Sequence, residues 1–372
     1  MLQSILVYGF MIISMMFFAH MANQLQSKTY HYKVGVFISY TIILLIFSFF
    51  SGVRFDVGVD HLSYYHSYRQ AEYFQYISSE TEWLFDVLTL FFANNGVHAT
   101  VYFGTLAFIQ LFFVLMAFKE QKYILPFLLF TLMTSGAYFM YMNGIRQMIV
   151  FSIFLYSIRF IDQKKILAYV GFLFIAFFIH RSVLILAPVF FLRNDFFRNR
   201  LITLSIIAIA LYLSYLDWWN YIIDYIEQGV NLLGYDNYSE NLEYHIELRE
   251  NEFNRSIRFY LPFLNSILVV LYSEKLKGYF NQPFFTIIYN LFVLGTIFWL
   301  LSFNNPLIQR PFIYFIFTNF VGSAYLLTYL WRNKHTHNIL LLLLVTISHV
   351  LIFYASLASN FHTQYKFFWD FT

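Results

Sequence analysis

Apolar runs of membrane-crossing length recur along the whole chain, and they constrain its fold more than any other feature. A helix needs about 20 mostly apolar residues to cross the hydrocarbon core of a bilayer. Runs of this kind cover 2–21, 35–52, 99–118, 123–141, 147–161, 166–191, 201–216, 259–273, 284–303, 311–331 and 338–357. Hydrophobic residues make up 60% of the chain and charged ones 12%, roughly half the charge fraction of a soluble domain. The mean hydropathy is +0.60. The expected fold is all-α, a polytopic transmembrane helical bundle of about 10–12 spans, forming one membrane domain over residues 1–372. The first run has neither a basic leader nor a small-residue cleavage site, so it reads as a retained span rather than a secretory signal.

Several function classes fall away. The chain has no cysteine, which removes disulfides, thiolate metal sites and a cysteine nucleophile. Its net charge of +3 is weak and spread over loops, unlike the clustered basic face of a nucleic-acid binder. No zinc spacing, phosphate-binding glycine loop, dinucleotide fingerprint or nucleophile elbow occurs. No long acidic cluster suits a dedicated metal site, so neither metal nor cofactor is expected. The 49 Phe and 31 Tyr suit lipid contact and interfacial anchoring, and stacking on sugar rings is their other use.

Sidedness follows from Lys and Arg in short loops. The loops holding Lys28 and Lys33, Lys119 and Lys122, Lys164 and Lys165, Arg193, Arg198 and Arg200, Lys275 and Lys277, and Arg332 and Lys334 read as cytoplasmic. The stretch 53–82 holds five acids and two arginines, and 217–258 holds nine acids and three arginines; both are expected outside. Segment 83–96 is short, and Leu84, Val87, Leu88 and Phe91 repeat at helical spacing, so it reads as an amphipathic surface helix within an outer loop 53–98. The alternation closes if 83–96 does not cross and 166–191 enters and returns, breaking near His180. The other solution, with both segments crossing once, would put the basic loops 119–122 and 159–165 outside. In the first solution both termini lie outside, and Arg54, Arg146, His180 and Arg310 all fall near the outer ends of spans. Charged groups within membrane segments are expensive and tend to line a cavity that binds something.

Four polar constellations interrupt the apolar pattern. In "FSGVRFDVGVDHLSYYHSY", Phe50 to Tyr68, Arg54 and Asp60 precede Tyr64 and Tyr65; an ordinary hydrophilic loop is the plainer reading. In "YMNGIRQMIVF", Asn143 is placed to cap a helix whose first turn carries Arg146 and Gln147. A cation there opposes the helix dipole and makes better sense beside an anion, since guanidinium and helix N–H groups together suit phosphate. The competing reading is an Arg snorkelling to lipid headgroups. In "FFIHRSVLILAPVFF", His180, Arg181 and Ser182 interrupt a long apolar run, as at a break lining a wet cavity. His180 could be a general base, a phosphate donor or a structural partner. In "SFNNPLIQRPFIYF", Gln309 and Arg310 stand at the outer start of a span, with Pro311 in its first turn and Tyr314 one turn on.

These segments together resemble the EpsG/Wzy-like family of bacterial exopolysaccharide and O-antigen polymerases. "GVRFDVGVDHLSYY" resembles the G-x-R-x-x-x-G-T-D-Y-x-x-Y block through Gly52, Arg54, Gly58, Asp60 and Tyr64, with Val59 and His61 in the Thr and Tyr places. "NGIRQMIVFSIFLYSIRFI" is similar to N-x-I-R-Q-x-I-A through Asn143, Ile145, Arg146, Gln147 and Ile149, and "FIHRSVLILAPVFF" to H-[KR]-[ST]-A-L-I through His180, Arg181 and Ser182. The likeness runs from about Met1 to Leu192; beyond that it rests on hydropathy and on Arg310 with its following aromatic residue.

The resemblance implies a membrane glycosyltransferase with a fold like that of GT-C-type lipid-linked sugar transferases. It would join oligosaccharide repeat units carried on undecaprenyl diphosphate at the outer face of the bacterial cytoplasmic membrane. Donor and acceptor would both be lipid-linked, and a chain-length regulator and a flippase would be its protein partners. Catalysis needs charge stabilisation on the leaving diphosphate and placement of the acceptor hydroxyl. Arg146, Arg54 and Arg310 are then expected at the diphosphate, and Asp60 or His180 at the hydroxyl. Gln147, Asn143, Arg181, Tyr64, Tyr65, Gln309 and Tyr314 complete the expected substrate contacts. An O-antigen ligase or polytopic acyltransferase would share the donor chemistry. A transporter would show repeat symmetry and paired broken helices; the sequence offers one break and no repeat.

Overall fold

The structure, a computed structural model, describes residues 1–25, 30–74, 82–216, 225, 256–303 and 306–370. The acidic loop 217–258, expected outside, lies almost wholly beyond these residues. The described chain is predominantly helical, and its single β-like contact is an isolated bridge between Arg54 and Phe367. It forms a polytopic helical membrane bundle.

The long helices show how apolar sequence becomes a membrane-embedded bundle. Helix α1 (Leu2–Gln24) buries Ser4, Tyr8, Met11, Met15 and Ala19, and exposes Leu2, Leu6, Phe10, Ile13 and Phe17. Both faces are apolar, so the outward one meets lipid rather than water. Helix α2 (Tyr30–Gly52) packs on α5 (Ala99–Ala117). The two backbones meet at Gly52 and Gly104, where a Cβ on Gly52 would come within 2.5 Å of the Thr100 carbonyl oxygen. Between them in sequence come two shorter helices, α3 (His61–Phe74) and α4 (Trp83–Asn94). At 12 residues, α4 is about 18 Å long, too short to cross. It buries Phe85, Thr89 and Ala93 while exposing Val87 and Phe91, so a short helix does form within 83–96.

The remaining helices are more broken than the sequence suggests. The run 123–141, expected as one span, is α6 (Leu125–Thr134) followed by α7 (Ala137–Asn143), bent by 65°. Gly136, at φ +88°, makes the break, because a left-handed residue cannot continue a right-handed helix. Helix α8 (Ile145–Asp162) begins directly afterwards. Helix α9 (Ile166–Phe177) turns at 178–180 into a 3-10 segment, Arg181–Phe191, that packs back on it. The Tyr169 hydroxyl donates to the Leu186 carbonyl at 2.6 Å, and the Tyr169 and Phe190 rings lie 5.8 Å apart. An unbroken helix would separate residues 169 and 186 by about 25 Å, so the chain folds back on itself within 166–191.

After α10 (Arg200–Leu213) come α11 (Ile257–Leu271), α12 (Ser273–Tyr279), α13 (Pro283–Leu301), α14 (Pro306–Ile316), α15 (Thr318–Arg332) and α16 (Thr336–Ser359). The centre is α13 with α14–α15: 72% of the most apolar window of α13 is buried, against 22% for α16. Among the described residues six helices are long and apolar enough to cross, or seven if the bent α6–α7 pair counts as one span. This is fewer than the eleven apolar runs. The runs at 201–216 and 259–273 become helices of 14 and 15 residues, and α8 carries Arg146, Arg159 and Asp162 within 18.

Candidate functional site

Three discontinuities in the helical pattern, the loop 53–60, the α7–α8 break and the turn 178–180, meet the chain around Arg310 in α14. Helix ends leave backbone groups without partners in their own helix, and side chains from the other discontinuities supply several of those partners.

Glu82 is the hub. It occupies the N-cap position of α4 and its side chain is 4% exposed. Its Oε2 accepts a hydrogen bond from Arg146 Nη1 in the first turn of α8. Its Oε1 lies 2.6 Å from His180 Nδ1 and accepts the Arg181 N–H at 3.4 Å. The turn carrying His180 is pinned to the start of α4 by the Leu84 N–H, which donates to the Phe178 carbonyl at 3.1 Å, and by the Trp83–Phe178 ring contact at 5.1 Å. The Arg146 guanidinium lies over the rings of Phe85 and Tyr64, at 5.6 and 5.8 Å. Its side chain remains 38% exposed, so this cation is fixed by a buried carboxylate and still partly exposed.

Asp60 stands beside this group. Its N–H donates to Asn143 Oδ1 at 2.8 Å. Burial raises its carboxyl above the usual range, and the charges of Arg310 and Arg146 act on it in the opposite sense. Arg310 is fixed through its backbone: Gln147 Nε2 donates to its carbonyl at 2.9 Å. One turn further on, the Tyr314 hydroxyl meets Ser182 Oγ at 2.7 Å. The second, third and fourth constellations are therefore stitched together directly.

Several expected roles change. Arg54 does not open towards a substrate. It is 2% exposed; its guanidinium donates to the carbonyls of Ser51, Val57 (3.3 Å) and Met142 (3.1 Å) and lies 5.5 Å from the Phe103 ring. Packing against the α7–α8 break uses its fork to satisfy backbone. Asn143 does not cap α8: it is the last residue of α7, the N-cap is Gly144, and the Asn143 side chain instead holds Asp60. Pro311 lies inside α14, which starts at Pro306, with half-buried Gln309 one position before Arg310. Tyr65 packs against Phe55 and Phe368, at 5.7 and 6.1 Å. His61 is buried between Phe55 and Phe103, and its Nδ1 accepts the Asp56 N–H at 3.2 Å. Burial, with the Arg54 charge beside it, pushes its pKa down to about 2.

Sequence reasoning missed Glu82 as a site residue and counted it among the loop acids. Its one local signal is a carboxylate immediately ahead of an amphipathic apolar helix. Also missed were His362 and Lys366, which pair with Asp56.

The arrangement joins an anion-binding cation to a carboxylate–imidazole pair. A partly exposed guanidinium can take phosphate oxygens, and a histidine oriented through Nδ1 by a carboxylate can move a proton at Nε2. Among the described residues no group of three or more His, Asp or Glu side chains is arranged to hold a metal ion. Comparison with curated proteins and with solved structures gives no match. The sequence profile described as EpsG family matches residues 37–369, well over half of the chain and all the segments that meet here. The chain belongs to the EpsG family, which places it broadly among membrane proteins of polysaccharide polymerisation.

Proposed function

We propose that this protein polymerises oligosaccharide repeat units carried on undecaprenyl diphosphate, at the outer face of the bacterial cytoplasmic membrane. The observation that carries the reading is the buried Glu82 carboxylate holding Arg146 on one oxygen and His180 on the other. Arg146, with Arg310 nearby, suits the diphosphate of the donor. His180, with Nδ1–H given to Glu82, carries its lone pair at Nε2 and is the base. Asp60 orients the acceptor. In the reaction the acceptor oxygen forms a bond to the anomeric carbon of the growing chain, and its proton passes to His180. The anomeric carbon–oxygen bond to the diphosphate breaks, and the diphosphate leaves with the electron pair. The two arginines supply the charge stabilisation that a metal would otherwise provide, and the activity is proposed to be metal-independent. A lipid bilayer, a flippase that delivers the units and a chain-length regulator are the proposed surroundings.

Deletion of the gene followed by analysis of surface polysaccharide tests the reading. Loss of polymer with retention of single repeat units is expected; loss of the single units as well would make the protein a ligase. Orientation is tested in this cysteine-free chain with an impermeant thiol reagent. A cysteine at Ser63 is expected to label in intact cells, and one at Asn199 only after the cells are opened.

A further inference from the structure

The loop that carries Asp60 is held from two sides. On its inner side the Arg54 guanidinium and the Asp60 N–H engage Met142 and Asn143, and Gly58, at φ +96°, lies so close that a Cβ there would be 3.0 Å from the Met142 carbonyl oxygen. On its outer side runs the segment 360–370. The Gly58 N–H donates to the His362 carbonyl at 2.8 Å, the Phe55 N–H to the Lys366 carbonyl at 2.9 Å, and the Phe368 N–H to the Val53 carbonyl at 2.8 Å. The segment is itself tied to the first two helices. The Tyr8 hydroxyl donates to the Thr363 carbonyl, the Tyr365 N–H to Ser4 Oγ, and the Tyr365 hydroxyl to the Phe50 carbonyl, at 3.0, 2.9 and 2.6 Å.

Between loop and segment sits an ion cluster. Asp56 Oδ2 lies 2.6 Å from Lys366 Nζ, and Asp56 Oδ1 lies 3.5 Å from His362 Nδ1. The Asp56 and Lys366 side chains are 18% and 16% exposed, so solvent screens the pair only partly. Asp56 adopts φ +51°, a conformation that Asp and Asn tolerate better than other side-chain-bearing residues. Asp56 and Gly58 are thus two left-handed residues in a five-residue turn ahead of Asp60, and a turn of that kind depends on outside contacts to hold its shape.

We propose that the Asp56–Lys366 pair is a clasp that positions Asp60 against Arg146 and Arg310. Both members act through the loop and neither touches substrate. The proposal rests on the reading of Asp60 as part of the reaction site, and its test separates the two.

The first measurement is independent of activity. With Asp60→Cys as the sole cysteine, the rate of thiol labelling reports the loop directly. Adding Lys366→Met is expected to raise that rate severalfold, whereas Lys366→Arg leaves it near the starting value. The second measurement is polymer formed per unit of membrane-inserted protein in chains retaining Asp60. Asp56→Asn, which keeps the left-handed preference and removes the charge, and Lys366→Met are each expected to lower it about tenfold, the scale of a sub-ångström misplacement. The double variant is expected to be no worse than the poorer single, because both remove the same interaction, and Lys366→Arg is expected to restore polymer. An unchanged labelling rate, or losses that multiply in the double variant, overturns the clasp. Faster labelling with normal polymer overturns the positioning role through the failure of Asp60 as a site residue.

Discussion

Arg54 and Arg146 occupy comparable places in the sequence, each beside a helix boundary and each in a polar block that interrupts an apolar pattern, and the fold uses them in opposite ways. Arg54 is sealed: its guanidinium donates to three backbone carbonyls, and the side chain is almost wholly buried. Arg146 is fixed by a buried carboxylate, and its side chain is 38% exposed. The difference lies in the partner. Carbonyls from three stretches of chain turn Arg54 into a cross-link that defines the shape of the loop. The Glu82 carboxylate, itself paired with His180, makes Arg146 one member of a charged group that stays partly exposed. Two arginines with similar sequence contexts can therefore divide between holding the site together and meeting what enters it.

The largest expected effect falls on the Arg146 side. Arg146→Ala is expected to reduce polymer by about 100-fold or more, the scale for losing a preorganised charge-stabilising donor, with normal amounts of protein in the membrane. Arg146→Lys keeps the charge but loses the planar fork and is expected to lose at least about tenfold. Glu82→Gln should follow Arg146→Ala, because it loosens the cation and the imidazole together. Polymer length and yield alongside membrane protein level are the measurements. Near-normal polymer from the Lys variant would return Arg146 to an interfacial anchor and erase the contrast with Arg54.

Arg54 should show the reverse pattern. Arg54→Met leaves buried carbonyls without donors, at about 1–3 kcal/mol for each unsatisfied group. The expected result is a melting temperature lower by several degrees in detergent and less protein in the membrane. Activity per folded molecule should fall far less than for Arg146→Ala. If Arg54→Met is stable yet inactive, Arg54 belongs with Arg146 after all.

The smallest effect concerns acid sensitivity beside Arg54. His61 is kept neutral in the fold, with its pKa lowered from 6.5 to about 2. The unfolded chain takes up a proton below about 6.5 and the folded chain does not, so stability is full above that pH and falls as the pH drops towards 2. At pH 5 the loss is about 2 kcal/mol. His61→Phe should melt at more nearly the same temperature at pH 7 and pH 5 than the parent does. An equal acid shift in both proteins would remove His61 as the source.

How much of this was legible in the sequence depends on the range of the interaction. Apolar runs report local burial in lipid, so the all-helical membrane class, a short helix within 83–96 and a break in the chain near His180 could be read from pattern and loop charge. The polar blocks could be found for the same reason, because a charge within an apolar run is visible without any knowledge of its neighbours. The bend at Gly136 escaped, because a glycine in an apolar run has no signature until its φ is set by packing. The pairing of those blocks was equally illegible. Glu82 lies 64 residues from Arg146 and 98 from His180, and its place just ahead of a helix, the one local signal it has, names neither partner. Lys366 lies 310 residues from Asp56. Which arginine would be sealed against carbonyls and which left half-open was decided only when the helices packed. At that point the α7–α8 break met the Arg54 loop, and the start of α4 met the turn at His180.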